Sequence, residues 1–590
     1  MRFRATTKWG NLAELEGLLF FAQRAEELLF DYTLDSYKPS ALNSAFLCRE
    51  AVRLIRDIDE GLIDQSNLTA VMQELKWSIS QDPIAKSLLD LPADKYFLDH
   101  ESEPLQRVRT KLEVLGRTLE PYRYLDRCLE KLSQAVRSAK KIEIDQLARL
   151  LFTTLINMGL HKSYLYEVTI DFFYRGDEPE SINGIDVIDT YLKSVYPLRH
   201  EFEVLFLASS LLSDVKDSAE GVFGVTIHDS IPTEIADFTS AEGFLATESE
   251  VIAQVDDIRA FDCYTAREIA EARLGQLRDL FTLYHHKAQI SWRSETVIRQ
   301  CCEDSPRLVS LPKNPIEKGY DQKPQRASQQ LNRMLKSFRM SERDFQKFNR
   351  AVDFHGLSVT NGNLENQLLN LWIALESIVP THTGAAKIRQ IVDGLLPFLA
   401  INYVWRLVGR LTQDLLRWNR REVARVLRKL PGDKKMPLRK KVFLLLVQAD
   451  AEGARKELYA SLRDFHLLRF RIYMLSESLK TPQKALSVLE AHETKVAWQL
   501  RRIYRTRNLI VHSGRTPPYI HSLIENGHDY LDQVLLTITR MAGSDYRVRT
   551  IDQAFELAKV GRRKMDGSLK SSDVYTSDIV SVMVNEHEFI

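Results

Sequence analysis

The sequence is poor in the residues and segments that mark several large classes of protein. Its 590 residues include only five cysteines, and none has a Cys-x-x-Cys spacing, so we expect neither a disulfide framework nor a zinc site. The longest apolar runs, such as 442–447, are far shorter than the roughly 20 residues of a membrane span. The N-terminus also lacks the apolar run of a secretory signal. These features predict a cytoplasmic protein that does not associate with a membrane.

Several short motifs of common enzyme classes are missing as well. The chain has no Gly-x4-Gly-Lys-Ser/Thr phosphate loop, no His-Glu-x-x-His and no Gly-x-Ser-x-Gly. We therefore expect neither a P-loop nucleotidase, nor a zinc protease of this type, nor a serine hydrolase. The sequence implies no metal and no organic cofactor.

Charge is distributed unevenly along the chain, although the net charge is only +1. Residues 1–300 contain 34 basic and 49 acidic residues, whereas residues 301–590 contain 47 basic and 31 acidic residues. The basic half is the one that could attract a polyanion such as RNA. Alternatively, the acidic half packs against the basic half and neutralises it.

Apolar residues at spacings of three and four predict a mainly α protein. Residues 163–310 differ, because β-branched and aromatic runs at 164–174, 202–207 and 221–227 predict short strands, followed by a helix over 266–285. The sequence thus predicts five regions: an N-terminal helical region (1–162), a small α+β region (163–310), a linker rich in Pro and Gly (311–327), a C-terminal helical domain (328–560) and a tail (561–590) that is loose or forms one edge strand.

One motif carries the chemistry needed to cleave RNA without a metal. Histidine suits the proton transfers because its pKa lies near neutrality, and arginine suits the phosphate because its charged fork binds two oxygens. Three histidines follow an arginine by five or six residues, in the pairs Arg350–His355, Arg507–His512 and Arg515–His521. Of these three arginines, only Arg507 is followed directly by Asn, Asp or His, in this case Asn508. It stands in a long predicted helix that ends at Ser513-Gly514.

This segment resembles the HEPN superfamily, whose signature is Arg-polar-x3-His near the end of the penultimate core helix. Residues 368–378, 385–401, 465–471 and 529–539 are similar to other core helices of the Apea-like HEPN group. The resemblance covers about residues 340–545 and does not extend to residues 1–310.

The resemblance implies a C-terminal HEPN helical bundle with endoribonuclease activity. RNA, with tRNA as one candidate, would be cut through attack by its own 2′-hydroxyl. Arg507, Asn508 and His512 would be the catalytic residues, in a homodimer or larger homo-oligomer. The resemblance also implies an anti-phage defence or toxin effector, in which the N-terminal region binds a trigger or partner protein. The alternative is a non-catalytic HEPN module that binds RNA or nucleotide, or only dimerises.

Helix geometry complicates the catalytic arrangement. Arg507 lies in the middle of the apolar arc Val496, Leu500, Ile503, Ile510 and Val511, while Arg501, Arg505, Asn508 and His512 lie opposite. Arg507 and His512 point about 140° apart on an ideal helix. Either the helix end is distorted or a second subunit completes the site.

Two supporting roles stay open. Glu376, beside Trp372, could balance a buried Arg507 or orient it for catalysis. Asn508 either holds the His512 ring or is an ordinary surface residue.

A basic segment at 404–441 is a second candidate for RNA contact. It contains 13 basic and three acidic residues, with Trp405 and Trp418 among them. Phosphate attraction with base stacking is one interpretation. The other is a solvated helix face, or a docking surface for the acidic half. The RNA-binding candidates are Arg501, Arg505, Arg515, Arg420, Arg421, Arg425 and Arg428.

Overall fold

Helices account for most of the secondary structure, as the apolar spacing predicts. The computed structural model describes residues 1–30, 34–96, 103–176, 179–303, 305–317, 321–380, 386–431, 435–543 and 547–584. The first part of the chain forms helices α1 Glu16–Leu29, α2 Ser44–Asp59, α3 Ser66–Gln81, α4 Pro83–Leu88, α5 Leu105–Thr118, α6 Pro121–Arg137 and α7 Lys141–Met158.

The middle of the chain contains an antiparallel sheet of five strands in the order β2-β3-β1-β4-β5. The predicted α+β character of this region is confirmed. Its strands are β1 His200–Ser209, β2 Val225–His228, β3 Glu250–Ala260, β4 Trp292–Gln300 and β5 Arg307–Val309. Its helices are α8 Lys162–Ile170, α9 Val187–Ser194, α10 Lys216–Phe223, α11 Ala236–Ala241 and α12 Cys263–Thr282.

The last part of the chain is helical throughout most of its described length. Its helices are α13 Pro324–Ser337, α14 Glu342–Thr360, α15 Leu364–Ile378, α16 Lys387–Ile401, α17 Tyr403–Leu427, α18 Leu438–Val447, α19 Glu452–Ser461, α20 His466–Ser478, α21 Pro482–Ser513, α22 Ile520–Gly543, α23 Ile551–Lys570 and α24 Ser577–Met583.

The predicted strand at 164–174 is wrong. Residues 162–170 form α8, which continues into a short π-helical segment at 171–175. The buried residues Leu165, Thr169 and Phe173 recur every four residues, a helical period that outweighs the β-branched and aromatic content. At 221–227 only the end is a strand, since Gly224 adopts a left-handed conformation that ends α10 before β2 begins. The strand at 202–207 is confirmed within β1.

The chain divides into two units whose limits differ from the predicted regions. The helical unit comprises residues 1–154, 181–188 and 315–590, and the sheet unit comprises residues 155–180 and 189–314. The N-terminal helices therefore share one unit with the C-terminal helical domain. The predicted tail at 561–590 also differs, because α23 continues to Lys570 and α24 buries Ile579 and Val582; residues 585–590 lie outside the described part.

Within the helical unit, the C-terminal helices around α21 pack on one another. α15 packs on α14, α21 and α22, while α16 packs on α21, α22 and α23. N-terminal helices join this bundle, with α1 against α20 and α3 against α21. Helix α21 thus has neighbours from both ends of the sequence.

Candidate functional site

Helix α21 carries the Arg-polar-x3-His motif in its last two turns. Pro482 occupies its first turn, and the helix is regular through Ser513. It ends at Gly514, whose φ of 60° places it in the left-handed region and whose N–H donates to the Ile510 carbonyl at 3.0 Å. The expectation of a distorted helix end is therefore wrong. The Cα atoms of Arg507 and His512 are about 7.5 Å apart along the helix axis, and the two side chains leave the helix about 140° apart around that axis.

Arg507 is half-buried, not fully buried in an apolar arc. Val496, Leu500 and Ile503 are buried as expected, but Val511 is 50% exposed, so the arc ends before the last turn. The Nη1 of Arg507 donates to the Asn508 Oδ1 at 3.0 Å. Asn508 therefore contacts the guanidinium, whereas the sequence had left open whether it holds the His512 ring or is an ordinary surface residue.

Glu376 is not the partner of Arg507 that the sequence suggested. One carboxylate oxygen of Glu376 accepts from the Trp372 Nε1 at 2.8 Å, and the other pairs with Lys387. Trp372 is 1% exposed, and its ring lies 5.4 Å from that of Tyr504 on α21. Trp372 and Glu376 thus support the middle of α21, and Glu376 also ties α15 to α16.

His512 lies in the last turn of α21 with its side chain exposed. Arg515, just beyond the glycine cap, is exposed as well. A polymer could reach both side chains without a rearrangement of the described residues.

Arg505, which the sequence suggested as an RNA-binding residue, is not accessible to a ligand. It is 6% exposed, and its Nη2 donates to Glu50 on α2 at 2.8 Å. Arg501 is half-buried and lines a cavity of about 570 Å³ with Trp498 and residues of α3. Burial lowers the pKa of Arg501. Of the three arginines predicted around the motif, only Arg515 is exposed.

Arg502, which was not among the residues predicted from the sequence, is completely buried. Its Nη2 donates to Glu74 on α3 at 2.6 Å and to Glu50 on α2 at 3.1 Å. Burial would raise the pKa of Glu50, but Arg502 and Arg505 lower it to about 2. Burial raises the pKa of Glu74 despite the same Arg502. The sequence did contain a signal of this buried ion pair, because Glu74 lies among the apolar positions of α3 and a buried carboxylate needs a basic partner.

The basic segment at 404–441 consists of two different parts. Before a break in α17 at Asn419, Arg406 pairs with Asp529 at 2.7 Å, and Arg410 is buried beside Asp414. The α-amino group of Met1 also contacts Asp414, at 3.1 Å. This first part is a packed surface that meets the N-terminus of the chain.

After the break, the side chains of Arg420, Arg421, Arg425 and Arg428 are exposed. Arg425 pairs with Glu422 and Glu457, and Lys429 reaches Glu457 at 2.6 Å. Neither Arg420 nor Arg421 has an acidic partner among the described residues. These two arginines are the ones best placed to meet an external phosphate.

A possible metal site lies elsewhere in the helical unit, where His355, His528 and Asp532 converge. The motif in α21 supplies a cation through Arg507 and contains none of these three residues.

Within the described part of the chain, no single helix has both the length and the apolar character needed to cross a membrane. α16 and α17 meet those criteria only when they are counted together across a bend of 44°.

Comparisons of the chain with protein-family models, with curated proteins and with solved structures found no match. The resemblance to the HEPN superfamily therefore stays a prediction from the sequence.

Proposed function

We propose that this chain is a metal-independent endoribonuclease whose reaction is centred on Arg507, Asn508 and His512. The observation that carries the proposal is the arrangement at the end of α21. An accessible histidine follows, by five residues, an arginine that is held by its neighbouring asparagine. The RNA 2′-hydroxyl would attack the adjacent phosphorus. The bond from phosphorus to the 5′-oxygen of the next nucleotide would break in the same reaction. His512 would act as the general base that takes the 2′-hydroxyl proton or as the general acid that protonates the leaving 5′-oxygen, and Arg507 would stabilise the phosphorane.

Asn508 acts as a positioning residue in this mechanism. A guanidinium has five N–H donors in a fixed plane, and the bond to Asn508 uses one of them. The remaining donors can bind two phosphate oxygens, and the orientation of the fork is already set. Loss of the Asn508 amide should therefore reduce the rate without removing the charge.

A second copy of the chain would complete the site. Since α21 is regular, Arg507 and His512 of one copy diverge by about 140° and cannot grip one phosphate together. Two copies related by a two-fold axis would bring two arginines and two histidines into one groove, with Arg515 beside it. The face of α21 that carries Arg502 and Arg505 is covered by α2 and α3, so the dimer contact would use the end of the helix.

The N-terminal helices would regulate this site through α21. Glu50 and Glu74 bind Arg502 and Arg505, which precede Arg507 by about half a turn to one and a half turns. A trigger that displaces α2 or α3 would leave buried charges unpaired, and α21 would have to shift to restore them. The role in anti-phage defence or growth arrest rests on the HEPN resemblance.

The proposal is tested by incubating the full-length protein with total RNA in EDTA. We expect cleavage that leaves 2′,3′-cyclic phosphate or 3′-phosphate ends together with 5′-hydroxyl ends. His512→Ala should lower the rate by about 10²-fold or more with an unchanged melting temperature, because its side chain is exposed. His286→Ala, which removes an exposed histidine of the sheet unit, is the control.

Products with 5′-phosphate ends that require magnesium would refute the mechanism. RNA binding without cleavage, unchanged in His512→Ala, would instead support the non-catalytic module. Mixing His512→Ala with Arg507→Ala subunits tests the composite site, since only a site shared between copies regains activity in the mixture. A monomer that cleaves RNA at full rate would contradict the dimer.

A further inference from the structure

Two histidines and an aspartate from distant parts of the sequence meet between α14 and α22. The Nε2 of His355 lies 3.1 Å from the Nε2 of His528 and 3.0 Å from the Oδ1 of Asp532. The Nε2 of His528 lies 3.9 Å from that same Oδ1. Three potential ligand atoms, one from each side chain, thus surround a single point in the helical unit.

These separations match those of ligands around a single transition-metal ion. Zinc binds imidazole nitrogen and carboxylate oxygen at about 2.0–2.2 Å. Two such ligands at a tetrahedral angle lie about 3.3 Å apart, a value that the three observed separations of 3.0, 3.1 and 3.9 Å bracket. The two imidazole rings are nearly parallel, with planes 15° apart and centroids 5.0 Å apart, so both side chains would rotate to direct their Nε2 atoms at one ion.

Two packed helices, α14 and α22, position the three side chains. His528 and Asp532 are four residues apart on α22, so they lie on one face of that helix. His355 comes from α14, which packs against α22. The side chain of His528 is 7% exposed, whereas those of Asp532 and His355 are 16% and 26% exposed. One ligand is therefore anchored in the core, and the other two leave a route for an ion from solvent.

We propose that His355, His528 and Asp532 bind one divalent transition-metal ion of the zinc type. Two neutral imidazoles and one carboxylate form a site that binds Zn²⁺ in preference to Mg²⁺ or Ca²⁺, because Mg²⁺ and Ca²⁺ favour oxygen ligands. Both histidines bind through Nε2, so each carries its proton on Nδ1. Three protein ligands leave a fourth position for water or an external ligand.

The bound ion would join α14 to α22. Helix α22 packs on α15 and α21, so the ion would strengthen the bundle around α21. This proposal does not depend on the ribonuclease activity, because the site shares no residue with Arg507, Asn508 and His512.

The test measures metal binding by the full-length protein directly. The protein is stripped with a chelator, titrated with Zn²⁺ in a calorimeter and then analysed for metal by mass spectrometry. We expect one Zn²⁺ per chain and a melting temperature that rises when Zn²⁺ is added. Co²⁺ in place of Zn²⁺ should give the intense visible absorption of a four-coordinate site.

His355→Ala and Asp532→Asn should each weaken Zn²⁺ binding by about 100-fold or more, because each removes a direct ligand. His286→Ala, at an exposed histidine of the sheet unit, should leave binding unchanged. His355 is the partly exposed ligand, so its alanine variant should fold even if the Asp532 variant does not. Absence of stoichiometric Zn²⁺ binding, or binding that survives His355→Ala in a folded protein, would overturn the proposal.

The outcome is separable from the test of the proposed function. If EDTA lowers the melting temperature and RNA cleavage together, the chemistry of the RNA ends still reports the mechanism. If Zn²⁺ does not bind, the ribonuclease proposal is unaffected.

Discussion

Two pairs of residues near the end of α21, Arg502 with Arg505 and Arg507 with His512, have opposite environments. Arg502 and Arg505 are buried against Glu50 and Glu74, whereas Arg507 is half-buried and His512 is exposed. The residue types alone do not separate the two pairs, since three of the four are arginine. The acidic partners separate them, because a buried guanidinium is stable only when carboxylates neutralise it. The first pair holds the fold together, and the second is free to act on a ligand.

The largest expected effect distinguishes the buried arginine from the accessible one. Arg502→Ala removes the arginine that pairs with the buried Glu74 and one of the two that pair with Glu50, so we expect a loss of about 3–5 kcal/mol in the free energy of unfolding. Arg507→Ala should cost about 1 kcal/mol or less, because it removes one hydrogen bond from a half-buried side chain. Urea unfolding followed by circular dichroism measures both. Equal losses would show that the two arginines are not in different environments.

An intermediate effect concerns pH. The folded-state pKa of Glu50 is about 2, below its ordinary value of 4.5, so its contribution to stability is present above about pH 4.5 and is lost as the pH falls towards 2. Burial would raise the pKa of Glu27, but Arg471 and Arg24 lower it to about 2. Glu27 therefore adds to the same loss of stability at low pH. The raised pKa of Glu74 acts in the opposite direction.

The free energy of unfolding of Glu50→Gln should therefore change less with pH than that of the parent. Between about pH 2.5 and 4.5 the difference between the two changes should be about 1–3 kcal/mol. Melting temperatures of the two proteins across this range provide the measurement. Glu60→Gln, at an exposed position just after α2, is the matched control. Parallel curves for the Glu50 variant and the parent would mean that this ion pair contributes nothing to acid sensitivity.

The smallest expected effect applies the same comparison to the basic segment. Arg420 and Arg421 are exposed without an acidic partner among the described residues, whereas Arg425 pairs with Glu422 and Glu457. Replacing Arg420 or Arg421 with Ala should weaken RNA binding a few-fold and reduce the salt slope of log Kd by about 1. Arg425→Ala should change the slope less. Fluorescence anisotropy at several salt concentrations tests this order, and a reversed order would contradict it.

Local patterns predicted the framework of the candidate site well. The apolar period of 3–4 residues and Ser513-Gly514 at the end were sufficient to predict the last turns of α21 and its stop. The aromatic run at 164–174 misled, because composition was given more weight than the helical recurrence of its buried residues. The partners of charged side chains were predicted poorly, as Glu376 shows by pairing with Lys387 and not with Arg507.

The sequence by itself determined that the chain is mainly helical and placed an arginine, an asparagine and a histidine near the end of one helix. Those features depend on interactions within a few residues, which a local pattern records. Only the tertiary structure decided that Arg505 is buried and that His355 meets His528 and Asp532. Each of these depends on contact between residues more than 170 positions apart in the chain. Such contacts follow from how whole helices pack, and no spacing within one segment encodes them.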